Sequence, residues 1–233
     1  MKASCKKSES LHLDGLSPVR STKAARLKRI KPGYFNPPGG RPVFVPGWHW
    51  LSVILLGMSG RPTLATMRWW STQGEQATRK REVEEDLLRD ISERWGQKVI
   101  HVWDRGFAGT PWLTMAFVHA LCFVMRWPKN YKLCPDEGPA RPVHHIPRGK
   151  RSWGHRLLWD ARRREQRKVG VLAIAVRDPA YDQLLTLVVA RRGKGQSPWY
   201  LLTGEPVCTE EEAWRIVLIY ARRWQVEMGL RFN

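Results

Sequence analysis

The sequence lacks the features of a membrane protein or a disulfide-rich secreted protein. Its four cysteines form no Cys-x-x-Cys pair and have no histidine at zinc-finger spacing, which predicts free thiols. No stretch approaches the roughly 18 consecutive apolar residues of a membrane span, and the first residues contain no apolar signal-peptide core. We therefore expect an intracellular protein that does not cross a membrane. The four cysteines are Cys5, Cys122, Cys134 and Cys208.

Acidic residues are scarce relative to basic ones. The 233 residues include 40 Lys and Arg but only 21 Asp and Glu, which gives a formal charge of +19. Because each phosphate neutralised by a cation releases counterions, this excess favours a polyanionic partner, most simply nucleic acid. A basic protein without such a partner is the alternative, and composition does not separate DNA from RNA.

The first half of the chain shows two clear local patterns after a basic start. Residues 1–42 are rich in Lys, Arg, Pro and Gly, which predicts an irregular arm. An antiparallel hairpin is predicted from Phe44 onward, with its turn at Gly57–Gly60. Apolar residues at helical spacing then predict a helix that is capped by Thr78 and stops at Gly96.

The second half begins with a short run that predicts a buried strand, Val99–Trp103. A helix with Pro111 in its first turn and a strand at Phe123–Trp127 follow. Residues 129–203 contain three further strand patterns, and Thr209 is predicted to cap a final helix that continues to the terminus. This order predicts an α/β fold, a mixed sheet with flanking helices.

These elements group into three parts. The basic irregular arm covers residues 1–42, and a core of sheet and helices is predicted over 43–128 and 204–233. A β-rich insertion is predicted between them, over 129–203.

Two acidic positions suggest chemistry. Asp104 directly follows the predicted strand, at a position where α/β proteins often bind ligands and metals. Tyr220, Arg223 and Glu227 have i, i+3, i+7 spacing and share one helical face, which suits a metal ion and a phosphate. The alternatives are an ordinary turn residue at Asp104 and a solvent-exposed face with an Arg223–Glu227 ion pair.

The segments "DRGFAG" (104–109) and "YARRWQVE" (220–227) together resemble the DDE transposases of bacterial insertion sequences. The resemblance is to the branch whose third acid lies in a Tyr-x2-Arg-x3-Glu-x6-Lys signature. The segments "RWPKNYKL" and "PWYLLTGEP" also resemble that family, so the similarity covers most of residues 40–233. It implies a ribonuclease H-like catalytic fold with a β-rich insertion between the second and third acids.

The resemblance also implies a site and partners. Asp104 would be the second catalytic acid and Glu227 the third, and both would bind two Mg2+ or Mn2+ ions that support DNA cleavage and strand transfer. Tyr220, Arg223 and Arg105 would contact DNA. Transposon-end and target DNA, a homodimer, and the nucleoid of a bacterial cytoplasm are the implied partners and location. Three tryptophans are predicted either to stack on DNA bases or to pack in the core: Trp153, Trp159 and Trp199.

The sequence departs from the family pattern at two places. The signature lysine would fall just beyond Asn233, and the first acid has no obvious strand. Asp14 is a candidate for that acid, but the strand that carries the first acid is instead expected upstream of Met1. The chain is therefore predicted to be an incomplete transposase that binds DNA but cuts it poorly. A metal-dependent nuclease of the same fold and a non-catalytic nucleic-acid-binding protein are the alternatives.

Overall fold

The computed structural model describes nine stretches of the chain, which contain thirteen strands and three α-helices. The described residues are 9–14, 33–35, 43–45, 49–57, 59–71, 77–136, 138–160, 164–193 and 195–223. The strands are β1 Glu9–Asp14, β2 Gly33–Phe35, β3 Val43–Val45, β4 His49–Gly57, β5 Thr63–Trp70, β6 Val99–Trp103, β7 Cys122–Arg126, β8 Lys132–Pro135, β9 Arg141–Pro142, β10 Gly154–Asp160, β11 Glu165–Arg177, β12 Leu185–Arg191 and β13 Trp199–Thr203. The helices are α1 Lys80–Trp95, α2 Thr110–Val118 and α3 Glu210–Arg222.

Eleven strands form one mixed sheet, which confirms the predicted α/β class. Its order is β5-β4-β1-β6-β7-β13-β12-β11-β8-β9, with β10 paired to β11. Strands β1, β6 and β7 are parallel, and the remaining pairings of this sheet are antiparallel. Strands β2 and β3 pair separately.

Helices cover both faces of the central strands. All five residues of β6 are buried. Val99 and Trp103 pack in a cluster that includes residues of α1 and α2, whereas Ile100 and Val102 pack with residues of α3. This double burial explains why β6 is almost continuously apolar, as is usual for strands of a parallel sheet. We call the side covered by α3 the α3 face and the other side the opposite face.

Strand β1 corrects the prediction of an irregular arm. Residues Glu9–Asp14 lie inside the sheet, antiparallel to β4 and parallel to β6. Strand β1 thus occupies a central position in the sheet, and the expectation that the strand of the first acid lies upstream of Met1 stays a prediction. The segment was missed because it is short and flanked by polar sequence, so its strand conformation depends on partners that are distant in the chain.

The predicted elements between residues 43 and 128 form with shifted ends. The hairpin consists of β4 and β5, whereas Phe44 belongs to β3 and pairs with Tyr34 of β2. Helix α1 begins after Arg79, which has no side-chain cap, so the prediction that Thr78 caps it is wrong. Pro111 lies in the first turn of α2, as predicted.

Strands from the predicted insertion, 129–203, extend the same sheet rather than forming a second one. Strand β13 pairs with β7, and β12 and β11 follow in order. Their interpretation as an insertion stays a prediction. Cys122, Cys134 and Cys208 are free thiols, as expected, and Cys5 lies outside the described residues.

Helix α3 begins as its sequence predicts. The Thr209 side chain accepts a hydrogen bond from the Glu212 backbone, and the Glu212 side chain accepts one from the Thr209 backbone. This capping box satisfies two otherwise unpaired donors at the start of the helix. Its predicted continuation to the terminus lies outside the described residues. None of the helices in the described ranges is both long and apolar enough to span a membrane.

Candidate functional site

Three polar residues lie at the same edge of the sheet, where the parallel strands end. Asp14 is the last residue of β1, Asp104 directly follows β6, and Arg126 is the last residue of β7. The register aligns them, because Leu13 pairs with Trp103 and Trp103 pairs with Met125. Carboxyl ends of parallel strands are the usual location of ligand sites in α/β sheets.

Asp104 is at the centre of the described contacts. Tyr220 donates a hydrogen bond from its hydroxyl to Oδ1 of Asp104 at 2.9 Å. Nη1 of Arg126 lies 3.7 Å from Oδ1, and Nη1 of Arg223 lies 3.7 Å from Oδ2. The structure therefore brings Asp104 together with two of the three predicted residues of the final helix.

These contacts set the protonation states of the pair. Burial by itself raises the pKa of Asp104, but the charge of Arg223, the backbone N–H of Arg105, the Tyr220 hydroxyl and the charge of Arg126 together hold it below its usual value. Burial and the neighbouring Asp104 charge raise the pKa of Tyr220 to about 12. At neutral pH, Asp104 is thus a carboxylate and Tyr220 is a phenol that donates to it.

A second layer of cationic and aromatic side chains surrounds the pair. The Trp199 ring meets Tyr220 edge to face, with 5.1 Å between centroids. The guanidinium of Arg192 lies 4.6 Å from the centre of the Trp199 ring, a cation–π distance. Burial and the nearby charge of Arg126 lower the pKa of Arg192. Arg126 and Arg223 therefore lie at the Asp104 carboxylate, and Arg192 lies behind Tyr220, over the Trp199 ring.

The remaining predicted residues lie in different places. Arg105 is exposed beside Asp104, and Glu227 lies outside the described residues. Trp199 is only 7% exposed and packs in the core, whereas Trp153 and Trp159 are 44% and 64% exposed. Among the residues that the structure describes, no group of three or more His, Cys, Asp or Glu side chains is arranged to hold a metal ion.

Sequence reasoning missed Arg126 and Arg192 and discounted Asp14. Arg126 ends the strand that runs parallel to β6, so the rule that parallel strands end at one edge could have identified it. Arg192 follows β12, and its proximity to Trp199 arises from the pairing of β12 with β13. No local signal in the sequence indicates that contact.

No protein-family model matches the chain, and no curated protein matches it by sequence. Among solved structures, the chain is similar to piggyBac transposase, in the cryo-EM structure of its synaptic complex with hairpin DNA. The TM-score is 0.50 and the sequence identity is 16%. The match covers 96% of this chain but 40% of the piggyBac chain, so this chain spans less than half of that protein's length. The chain therefore has a transposase-like fold.

Proposed function

We propose that this chain is the ribonuclease H-like catalytic domain of a DDE transposase, which cleaves DNA and transfers strands by phosphoryl transfer. One observation carries the proposal. Asp104 is kept ionised at the end of a central parallel strand, in register with Asp14 and beside Arg126 and Arg223. Transfer between phosphodiesters needs such positioned charge more than it needs covalent chemistry.

Two acidic positions at this edge support the proposal of a divalent metal site. Neighbouring strands lie about 4.8 Å apart, so Asp14 and Asp104 follow adjacent backbones at one edge. Carboxylate oxygens are preferred ligands of Mg2+, and Asp104 is in the charged form that metal binding needs. We propose Asp14, Asp104 and Glu227 as ligands of two Mg2+ or Mn2+ ions. When bound, these ions would activate the attacking oxygen and stabilise the leaving oxygen.

The protein side chains supply position and charge. The Tyr220 hydroxyl holds Oδ1 of Asp104, which fixes the orientation of the carboxylate. Arg223 is only 5% exposed, so its charge is held in place rather than being mobile in solvent. Together with Arg126 it would bind a DNA phosphate next to the metal-binding edge. Arg105, which is exposed beside Asp104, would contact the same DNA.

DNA is the proposed partner because the similar piggyBac structure is a complex with hairpin DNA and this chain carries a charge of +19. We further propose that two copies act together on two transposon ends. In this proposal Asp14 is the first catalytic acid. We therefore no longer expect the chain to cut DNA poorly because it lacks a first acid.

A plasmid-nicking assay tests the proposal. With Mn2+, the wild-type chain should convert supercoiled plasmid to the nicked form. Asp104→Asn and Asp14→Asn should each lower the rate at least about 100-fold, because mispositioned reacting groups cost this much. Asp182→Asn is the matched control, since Asp182 is exposed and its backbone carbonyl makes the contact seen with Arg177.

Calorimetric titration with Mn2+ gives a second readout. Binding by the wild type that is lost in Asp104→Asn supports a metal site. Undiminished nicking by Asp104→Asn, or the absence of Mn2+ binding by the wild type, would contradict the proposal. Cut 3′ ends that are never joined to a second DNA would instead identify a nuclease of the same fold.

A further inference from the structure

Strand β10 presents two different faces. Its Arg156 side chain forms an ion pair with Glu211 of α3 and lies over the Trp214 ring, and Leu158 packs in the α3-face cluster. Because side chains alternate along a strand, the intervening residues project from the opposite face. These residues are exposed, with Leu157 at 63% and Trp159 at 64%. We call His155, Leu157 and Trp159 the β10 stripe.

A basic groove of about 650 Å³ adjoins the β10 stripe. None of the described residues that line it is acidic. The basic side chains that line it are Lys150, Arg151, His155, Lys168 and Arg191.

Side-chain hydrogen bonds and close packing fix the shape of the groove. Arg191 donates hydrogen bonds to the carbonyls of Pro147 and Lys150, which ties the loop before β10 to β12. Gly170 forms part of the lining, and a Cβ added there would come within 2.7 Å of Ser152 Oγ and 2.9 Å of the His155 ring. A side chain at Gly170 would therefore displace these neighbours.

The groove and the candidate catalytic site lie on different faces of the sheet. Arg191, at the end of β12, lines the groove, whereas the next residue, Arg192, lies over Trp199 beside Tyr220. Successive residues of an extended chain point to opposite faces. A ligand in the groove would thus not occupy the surroundings of Asp104.

We propose that the β10 stripe and the basic groove form a second nucleic-acid site, which binds single-stranded DNA. The all-basic lining is complementary to a phosphate backbone. Trp159 and Leu157 offer exposed apolar surface for unpaired bases, which stack on aromatic side chains, whereas a duplex keeps its base faces covered. The choice of DNA over RNA rests on the proposed function.

Binding of a fluorescent 30-nucleotide oligo-dT, followed by anisotropy, tests this site. The protein is the full chain carrying Asp104→Asn, in EDTA, so that cleavage and metal binding play no part. Trp159→Ala should weaken binding about 10-fold, as loss of one stacked base does. Lys168→Gln should weaken binding and reduce the slope of log affinity against log salt by about 0.7, the contribution of one phosphate contact.

Two matched controls separate this site from general effects. Trp69 is 54% exposed on β5, at the far end of the sheet, so Trp69→Ala removes an exposed tryptophan elsewhere. Lys98→Gln removes an exposed charge just before β6. Both variants should bind oligo-dT as the parent does.

Three results would overturn the proposal. One is equal loss of binding in the control and test variants, and another is a larger loss of duplex or oligo-U binding than of oligo-dT binding in Trp159→Ala. The third is self-association in sedimentation that Trp159→Ala abolishes while oligo-dT binding stays unchanged, which would identify an interface between copies. If the wild type fails to nick plasmid while oligo-dT binding still depends on the β10 stripe, that result would contradict the proposed function and leave the second site standing.

Discussion

The two faces of the sheet carry basic side chains in different settings. On the α3 face, Arg223 is buried and shares the carboxylate of Asp104 with Arg126. On the opposite face, the groove cations lie beside exposed residues, and no described lining residue is acidic. The difference is therefore one of burial and of a compensating negative charge, not of the number of positive charges.

This contrast separates two uses of positive charge. A buried arginine held against a carboxylate has a fixed position, and it is screened little by salt. Exposed lysines beside an apolar strand attract any polyanion and lose affinity steeply as salt increases. Under the two proposals above, the α3 face would bind one phosphate at one place, and the opposite face would bind a strand with many phosphates.

The largest expected effect comes from removing Tyr220, which should affect the α3 face alone. Tyr220 is fully buried, so Tyr220→Ala should lower the free energy of unfolding by about 3–5 kcal/mol and abolish nicking. Oligo-dT binding at the β10 stripe should persist at temperatures where the variant stays folded. Urea unfolding and anisotropy measure the two effects.

Tyr220→Phe is the control for that prediction. It keeps the packing and loses only the hydrogen bond to Asp104, at a cost of about 1–3 kcal/mol. Parallel loss of oligo-dT binding in folded Tyr220→Ala would show that the two faces are not independent.

A somewhat smaller effect is expected at His101, on the same strand that leads to Asp104. Burial and the nearby His119 lower the pKa of His101 to about 3, and its ring has no hydrogen-bond partner among the described residues. Below about pH 6.5, the unfolded chain therefore binds a proton at His101 that the folded chain does not bind. The free energy of unfolding decreases as pH falls from 6.5 toward 3. Between pH 6.5 and 4 the loss should be on the order of 3 kcal/mol.

The variant His101→Leu should flatten this pH dependence, whereas His155→Leu, at an exposed histidine, should not. Urea unfolding at pH 7 and pH 4 measures both. If His101→Leu retains the wild-type slope between pH 7 and pH 4, the acid sensitivity does not arise at His101.

The smallest effect is expected at the start of α3. Thr209→Ala removes one half of the capping box and should lower the free energy of unfolding by about 1 kcal/mol. Thr209→Ser keeps the hydroxyl and should remain close to wild type. Thermal unfolding distinguishes Thr209→Ala from Thr209→Ser. Equal melting temperatures for Thr209→Ala and the wild type would show that the capping box does not stabilise the protein.

Local signals allowed part of this molecule to be predicted. The Thr209 cap lies three residues from Glu212, and Asp104 directly follows an apolar run, so both could be identified from neighbouring residues. The i, i+3 spacing also placed Tyr220 and Arg223 on one face, and both contact Asp104.

Features that depend on distant partners could not be predicted in the same way. Strand β1 pairs with β4, about 40 residues away, and with β6, about 90 residues away. No pattern within its six residues indicates either pairing. Arg126 reaches Asp104 only because β7 lies beside β6. Tyr220 and Arg223 were predicted to grip DNA phosphate, and the structure adds that they orient a carboxylate.

The strand order also sets a length for any DNA that engages both faces at once. Five strand-to-strand steps separate β6 from β10, through β7, β13, β12 and β11. At about 4.8 Å per step, the path across the sheet from β6 to β10 is about 24 Å. The DNA would also have to pass around the edge of the sheet to reach the opposite face. At the duplex rise of about 3.4 Å per nucleotide, this path across the sheet corresponds to about seven nucleotides between Asp104 and Trp159. The strand order of the sheet thus sets the distance between the proposed reaction site at Asp104 and the proposed single-strand site at the β10 stripe.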